Sequence, residues 1–152
     1  MTIKVLTIDD DSAMTELISL LLRSHGLQVI TSCDGQTGIQ LAKSESPDII
    51  LLDLMMPGID GWEVCKSIRA EMNTPIAILS AINDPLIISS ALDAGADDYM
   101  VKPIPSGVLI AHINNLARRH IVENNTKKML RQTGPLIKQA ILPVFDQKPL
   151  QV

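Results

Sequence analysis

Five short aliphatic runs recur along the chain, and each is too short for a helix and bounded by Gly, Pro, Asp or Ser. They predict β-strands over residues 3–8, 27–31, 48–54, 75–82 and 97–102. The third and fourth runs contain IILLDL and IAILSAI, which lack the polar alternation of a half-exposed strand. Uninterrupted runs are typical of strands that helices cover on both faces, so the pattern predicts a parallel sheet.

Apolar residues at helical spacing occupy the segments between these runs. They predict helices from Ser12 to the residue before Gly26 and over residues 35–44, 60–71, 85–94 and 105–121. Ser12 is the expected N-cap of the first helix. Five strands that alternate with five helices predict right-handed βαβ crossovers and a doubly wound α/β fold with five parallel strands.

Polar side chains stand at the ends of four predicted strands. The first strand ends in Asp9 and Asp10, the third in Asp53, the fourth in Ser80 and the fifth in Lys102. Ligands of doubly wound sheets bind beyond the carboxyl ends of the strands, where the strand order reverses. We therefore expect three carboxylates, one hydroxyl and one ammonium group around a single pocket.

This set of groups predicts phosphoryl chemistry. Clustered carboxylates repel one another at neutral pH unless they bind protons or a cation, and their hard oxygens favour Mg²⁺ or Mn²⁺ over zinc. Lys102 and Ser80 supply a cation and a hydroxyl donor for phosphoryl oxygens. An Asp carboxylate beside them can attack phosphorus and form an acyl phosphate, and Asp53, at the end of the central run, is assigned that role.

Charge is unevenly distributed along the chain. Residues 1–117 carry six Lys and Arg against fifteen Asp and Glu, whereas residues 118–152 carry seven against two. Because nucleic-acid binding needs clustered Lys and Arg, the acidic segment argues against direct contact with nucleic acid. No aromatic residue lies between Tyr99 and Phe145 to stack on bases. Direct nucleic-acid binding is therefore not expected of this chain.

The composition favours a folded cytoplasmic domain. With 46% hydrophobic and 20% charged residues, the chain is unlike disordered sequences. Cys33 and Cys65 stand singly, which predicts structural thiols rather than a disulfide framework or a zinc site. No apolar run approaches the roughly 18 residues of a membrane span, and the first residues lack a signal-peptide pattern, so we expect a cytoplasmic protein.

Four motifs, VLTIDDD, IILLDLMMPGIDG, IAILSA and DYMVKP, occur in this order, each around the end of a predicted strand. In order and spacing they resemble the receiver domain of two-component response regulators, which has the flavodoxin-like fold of the CheY-like superfamily. The resemblance covers about residues 3–121. It implies a receiver domain at residues 1–121 and a basic C-terminal tail at residues 122–152.

The resemblance also implies roles for the residues of the pocket. Asp53 would accept a phosphoryl group from a sensor histidine kinase or a phosphotransfer protein in a Mg²⁺-dependent step. Asp9 and Asp10 match the acidic metal pair of the family, and the backbone carbonyl of Met55 matches the remaining protein ligand. Lys102 matches the lysine that contacts the phosphate and precedes a peptide bond that is usually cis.

Two further residues match the switch of the family. Ser80 corresponds to the switch Ser or Thr and Tyr99 to the switch aromatic, so phosphorylation is expected to draw Ser80 inward and let the ring of Tyr99 move. The face made by the fourth helix, fifth strand and fifth helix is where such domains commonly dimerise or dock partners. Met55 and Ile82 are apolar where the family often has polar side chains that affect attack by water, which predicts a long-lived phosphorylated state.

The basic tail has a pattern of its own. Pro135 can begin a helix, and Ile137, Ala140, Ile141 and Val144 recur at helical spacing, which predicts a short amphipathic helix. Such a helix would pack on the body, pair with a second subunit or bind a partner. The segment also fits the disordered start of a longer protein, and the sequence does not choose among these.

The main prediction is a phosphoacceptor that catalyses only its own phosphotransfer and its own slow dephosphorylation. Three other functions also fit the sequence. A pseudo-receiver would bind partners without being phosphorylated, although Asp53, Ser80 and Lys102 are all present. An Asp-nucleophile phosphatase would carry a second Asp two residues after Asp53, where Met55 stands. The chain also fits the receiver part of a transcriptional regulator whose effector domain lies outside it.

Overall fold

One parallel sheet organises residues 2–133, which the computed structural model describes. Its strands are β1 Lys4–Ile8, β2 Gln28–Ser32, β3 Ile49–Leu52, β4 Ile76–Ser80 and β5 Asp98–Val101. The helices are α1 Ser12–Ser24, α2 Gly35–Glu45, α3 Gly61–Glu71, α4 Pro85–Asp93 and α5 Ser106–Gln132. The strands lie in the order β2-β1-β3-β4-β5, and all neighbouring pairs are parallel. The predicted doubly wound fold is confirmed, and its strand order reverses between β1 and β3.

Helices cover both faces of the sheet, which explains the uninterrupted apolar runs. Because side chains alternate along a strand, Leu6 and Ile8 pack toward α2, α3 and α4, whereas Val5 packs toward α1 and α5. Every residue of β3 and β4 is buried. Polar chemistry is therefore confined to the strand ends, where the backbone remains held by the sheet.

Aspartates cap the first four helices. The N-caps of α1 to α4 are Asp11, Asp34, Asp60 and Asp84, and each side chain accepts a hydrogen bond from a backbone N–H in the first turn. The expectation that Ser12 caps α1 is wrong, because Asp11 holds the extended N-cap conformation and accepts from the Met14 N–H at 3.1 Å.

Arg69 on α3 fastens the turn that follows α4. Its guanidinium donates to the carbonyl of Gly95 at 2.9 and 3.0 Å and to the carbonyls of Met72 and Thr74 at 3.2 and 3.0 Å. It also pairs with a carboxylate oxygen of Asp97 at 2.7 Å. One side chain thus joins the end of α3, the approach to β4 and the segment between α4 and β5.

Helix α5 is longer than the sequence predicts. It runs to Gln132, so the expected boundary between a domain ending at residue 121 and a tail beginning at 122 falls inside a continuous helix. The segment 122–132 contains no Gly or Pro to stop the helix, and its polar residues bury no continuous stripe that would reveal it. The amphipathic helix predicted after Pro135 lies outside the described residues.

Within residues 2–133, no helix combines the length and the hydropathy needed to cross a bilayer.

Candidate functional site

Three carboxylates meet at the carboxyl edge of the sheet. Asp9 follows β1, Asp10 is next in the chain, and Asp53 follows β3, which is the neighbour of β1. A carboxylate oxygen from each of the three lies within 4.8 Å of the others. Asp9 is buried, Asp53 is half-buried and Asp10 is exposed, so the cluster is open on one side. The structure thus brings together the three aspartates singled out in the sequence.

Backbone groups hold two of these carboxylates in place. The Asp11 N–H donates to Asp9 Oδ1 at 2.9 Å, and the Met55 N–H donates to Asp53 Oδ1 at 3.3 Å. The Asp53 N–H donates to the Ile8 carbonyl at 3.0 Å, which continues the β1–β3 pairing past the strand ends. Sheet and loop backbone together therefore set the positions of both side chains.

Lys102 reaches the same cluster from β5. Its Nζ lies 3.1 Å from Asp9 Oδ2 and 3.9 Å from Asp53 Oδ2, and its side chain is largely buried. The peptide bond between Lys102 and Pro103 is cis, as the resemblance implies. One ammonium group thus stands between the carboxylates of Asp9 and Asp53.

The charges of this cluster do not balance. Burial is the largest influence on Asp53 and raises the pKa of its carboxyl; the Asp9 charge adds to this, while Lys102 acts in the opposite direction. One lysine faces three aspartates, so the site has room for additional positive charge. The donor set fits Mg²⁺ or Mn²⁺, which take carboxylate and carbonyl oxygens.

We expect Asp53→Asn to stabilise the metal-free chain at pH 7 by about 1 kcal/mol, or about 3 °C in Tm. The folded chain disfavours the ionised carboxyl, because burial and Asp9 raise its pKa above the value in the unfolded chain. The gain should be absent in acid, where the carboxyl is protonated in both states, and should appear as the pH rises through the unfolded and then the folded pKa.

Thermal melts in EDTA between acid and neutral pH measure this difference. Asp84→Asn is the matched control, because Asn also caps helices well and Asp84 lies on the exposed start of α4. A variant at Asp53 that is less stable than the parent at pH 7 would show that the carboxylate cluster is not under electrostatic strain.

Ser80 and Tyr99 both bind the residue Ile82. The Ile82 N–H donates to Ser80 Oγ at 3.3 Å, and the Tyr99 hydroxyl donates to the Ile82 carbonyl at 2.7 Å. Ser80 is buried at the end of β4, and the ring of Tyr99 is half-buried against the core. The two residues matched to the family switch therefore hold opposite polar groups of one residue in the loop before α4.

Sequence reasoning missed Ile82 as the shared partner of these side chains. It was noted only for its apolar side chain, whereas its backbone groups make both contacts. No residue type marks a backbone partner, so the sequence holds no signal for it. Asp11, which follows Asp9 and Asp10 in the chain, serves as the cap of α1.

Comparisons with known proteins agree with this geometry. Residues 5–114 match the family model described as the response regulator receiver domain. The transcriptional regulatory protein AfsQ1 of Streptomyces coelicolor is 44% identical over 115 residues, which cover 76% of this chain and 51% of the relative. The DNA-binding response regulator MtrA of Mycobacterium tuberculosis is 35% identical over 117 residues, which cover 77% and 51%.

The chain therefore spans about half the length of these curated relatives. Their names describe whole proteins and do not assign DNA binding to the matched half, so the expectation about nucleic acid stays a prediction.

Solved structures of single receiver domains match over almost their full length. The Francisella response regulator 1452 receiver domain has a TM-score of 0.74 and 34% identity, covering 78% of this chain and 98% of that one. The BeF₃-activated receiver domain of RstA from Klebsiella pneumoniae has a TM-score of 0.73 and 31% identity, covering 76% and 98%. The chain belongs to the response regulator receiver domain family of two-component signalling proteins.

Proposed function

We propose that this chain is the phosphoacceptor of a two-component phosphorelay, in which Asp53 takes a phosphoryl group from a histidine kinase or a phosphotransfer protein. The observation that carries the proposal is the placement of Asp53 within one cluster of three carboxylates, with Lys102 Nζ 3.9 Å away. That arrangement surrounds one nucleophile with the groups that a transferring phosphoryl group needs.

A divalent cation fits beside Asp53. The carboxylates of Asp9, Asp10 and Asp53 and the backbone carbonyl of Met55 are the residues that would hold it. When bound, Mg²⁺ supplies positive charge that neutralises the phosphoryl oxygens.

The residues of the chain carry the transfer itself. A carboxylate oxygen of Asp53 attacks phosphorus, the P–N bond to the donor imidazole breaks, and its electron pair stays on the imidazole nitrogen. Lys102, which pairs with Asp9 in the structure, turns its ammonium toward the phosphoryl oxygens. The hydroxyl of Ser80 donates to another of these oxygens, which pulls on the loop that holds Ile82.

Incubation with Mg²⁺ and acetyl phosphate, followed by intact mass measurement, tests the proposal without a kinase. The parent chain should gain one phosphoryl group, and Asp53→Asn or EDTA should abolish the gain. Asp84→Asn controls for loss of a carboxylate outside the cluster. A parent chain that never gains mass would favour the pseudo-receiver. A gain in mass that persists in Asp53→Asn would show that another residue accepts the phosphoryl group.

We expect the acyl phosphate to be long-lived because the residues two positions after Asp53 and two positions after Ser80 are apolar. The side chain of Met55 is exposed, and that of Ile82 is half-buried. The double variant Met55→Asn, Ile82→Glu would offer polar groups that orient a water molecule and should shorten the lifetime by about ten-fold.

Loss of the phosphoryl mass with time, after removal of the donor, measures this lifetime. The variant Met55→Leu, Ile82→Val keeps both positions apolar and should retain the parent rate. Equal lifetimes for the polar and the apolar double variants would show that these two positions do not control hydrolysis of the acyl phosphate.

A further inference from the structure

A small cavity lies between the sheet and α1, next to the carboxylate cluster. Asp9 and Asp53 line the end of the cavity at the candidate site. Thr7 lines it from within β1, and Thr15 lines it from α1. Aliphatic side chains of the core form the rest of its wall. The cavity therefore lies on the inner side of the expected phosphoacceptor.

The hydroxyl group of Thr7 is buried here without a hydrogen-bond partner. Thr7 is 3% exposed, and its Oγ1 makes no hydrogen bond to any of residues 2–133. A hydroxyl that is buried without a hydrogen bond destabilises the folded chain, so such groups bind ordered water where there is room for it. The unpaired hydroxyl therefore points to a bound molecule in the cavity.

The size of the cavity selects this molecule. The space that is open to the centre of a water molecule is about 10 Å³. Roughly 10–15 Å³ on this measure holds one water, and hydrated cations and organic ligands need more. Cavities that stay dry are apolar, whereas two hydroxyl groups and two aspartates line this one. One water molecule thus fits both the volume and the polarity of the cavity.

Strand geometry places Thr7 too far from the carboxylates for a direct hydrogen bond. Side chains alternate along a strand, so Thr7 and Asp9 share one face, as Leu51 and Asp53 do on the neighbouring β3. Two residues along a strand span about 6.6 Å. Two successive hydrogen bonds of about 2.8 Å through a water molecule span nearly this distance.

The carboxylate of Asp53 has more capacity for this water than that of Asp9. Asp9 accepts from the Asp11 N–H at 2.9 Å and from Lys102 at 3.1 Å. Among the described residues, Asp53 accepts one hydrogen bond, from the Met55 N–H at 3.3 Å, and its contact with Lys102 is 3.9 Å long. The water would therefore complete the contacts of the phosphoacceptor.

We propose that one internal water molecule accepts a hydrogen bond from the Thr7 hydroxyl and donates one to the carboxylate of Asp53. Its second proton goes to Oγ1 of Thr15, whose own proton binds the Asp11 carbonyl at 2.9 Å. Thr7 is then a positioning residue, because it acts on Asp53 through the water. This role rests on the proposed function of Asp53, whereas the water site itself does not.

Magnetic relaxation dispersion of water ¹⁷O tests the water site, because it counts the waters that stay bound for longer than the protein takes to tumble. Thr7→Val keeps the shape of the side chain but removes its hydroxyl, so in EDTA it should show one long-lived water fewer than the parent. Thr7→Ser should retain this water. Thr31→Val is the matched control, because it makes the same change on β2, where the side chain is exposed.

Phosphorylation by acetyl phosphate tests the positioning role in the same variants. A carboxylate that is held from its inner side has fewer orientations to lose before it attacks phosphorus. Thr7→Val should therefore be phosphorylated about ten-fold more slowly than the parent. Thr7→Ser and Thr31→Val should remain close to the parent rate, and thermal melts establish that all three variants are folded.

Three results would contradict these expectations in different ways. Equal water counts in the parent and Thr7→Val would overturn the water site; the cavity would then be dry, and valine should raise the Tm by removing an unpaired hydroxyl. Loss of the water without slower phosphorylation would overturn the positioning role. A parent chain that is never phosphorylated would overturn the proposed function and the positioning role with it, while the water count would still decide the water site.

Discussion

Replacing Gly61 with alanine is expected to lower the free energy of unfolding by about 3 kcal/mol. A Cβ atom at this position would lie 2.5 Å from the carbonyl oxygen of Asp53 and 2.5 Å from Cα of Leu54. These are backbone atoms next to the sheet and cannot rotate away as the tip of a side chain can. Helix α3 would have to move off the end of β3, which breaks the 3.0 Å bond from the Gly61 N–H to the Leu54 carbonyl.

Urea unfolding of the Gly61→Ala chain measures this loss. Gly107→Ala is the control, because its Cβ would meet no atom within 4 Å and alanine favours the helix, for a gain of about 0.5 kcal/mol. The displacement also reaches Asp53, so labelling by acetyl phosphate should slow in any Gly61→Ala chain that remains folded. Equal stability of the two alanine variants would show that α3 shifts without cost.

Replacing Lys102 with methionine is expected to slow phosphorylation by acetyl phosphate by about 10²- to 10³-fold. Methionine retains the length of the side chain but removes the one ammonium group that lies 3.1 Å from Asp9 and 3.9 Å from Asp53. The transferring phosphoryl group then lacks the fixed cation that the chain itself supplies in a largely buried position. Replacing Lys102 with arginine should restore only part of the rate, because a planar guanidinium group does not fit a position occupied by a compact ammonium group.

Intact mass measured against time gives these rates. Lys66→Met is the control, because Lys66 is exposed and its carboxylate contact is a 3.6 Å pair with Glu63 on the same helix. A circular dichroism spectrum equal to that of the parent shows that the Lys102 variant is folded. If the Lys102 variant is phosphorylated at a rate within two-fold of the Lys66 variant, Lys102 does not take part in the phosphoryl transfer.

The residues of the site could be predicted because their positions depend on topology alone. Once the aliphatic runs predict five parallel strands, Asp9, Asp53 and Lys102 must share one edge wherever their side chains point. The cap of α1 was harder, because Asp11 and Ser12 are both good caps and stand side by side. Only the backbone conformation distinguishes them.

Other features carry no sequence pattern. Most partners of Arg69 are carbonyl groups, which every residue has, so the three segments that it joins could not be predicted from the sequence. The extension of α5 beyond residue 121 buries no stripe against its own sheet, so no apolar pattern in the sequence marks it. Long-range side-chain contacts and solvent-facing helices thus need coordinates.

The two ends of α4 are held unequally, and this determines which end would move when the site changes. Arg69 holds Gly95, just past the last turn, whereas the first turn follows the loop of Ile82. If that loop shifts, we expect the helix to pivot about its far end, where the Trp62 ring also donates to the Ser90 hydroxyl, and to move most at its near end. Leu86 lies in this first turn and is 80% exposed. The largest displacement would therefore fall on an exposed hydrophobic side chain, and the smallest would fall near Gly95.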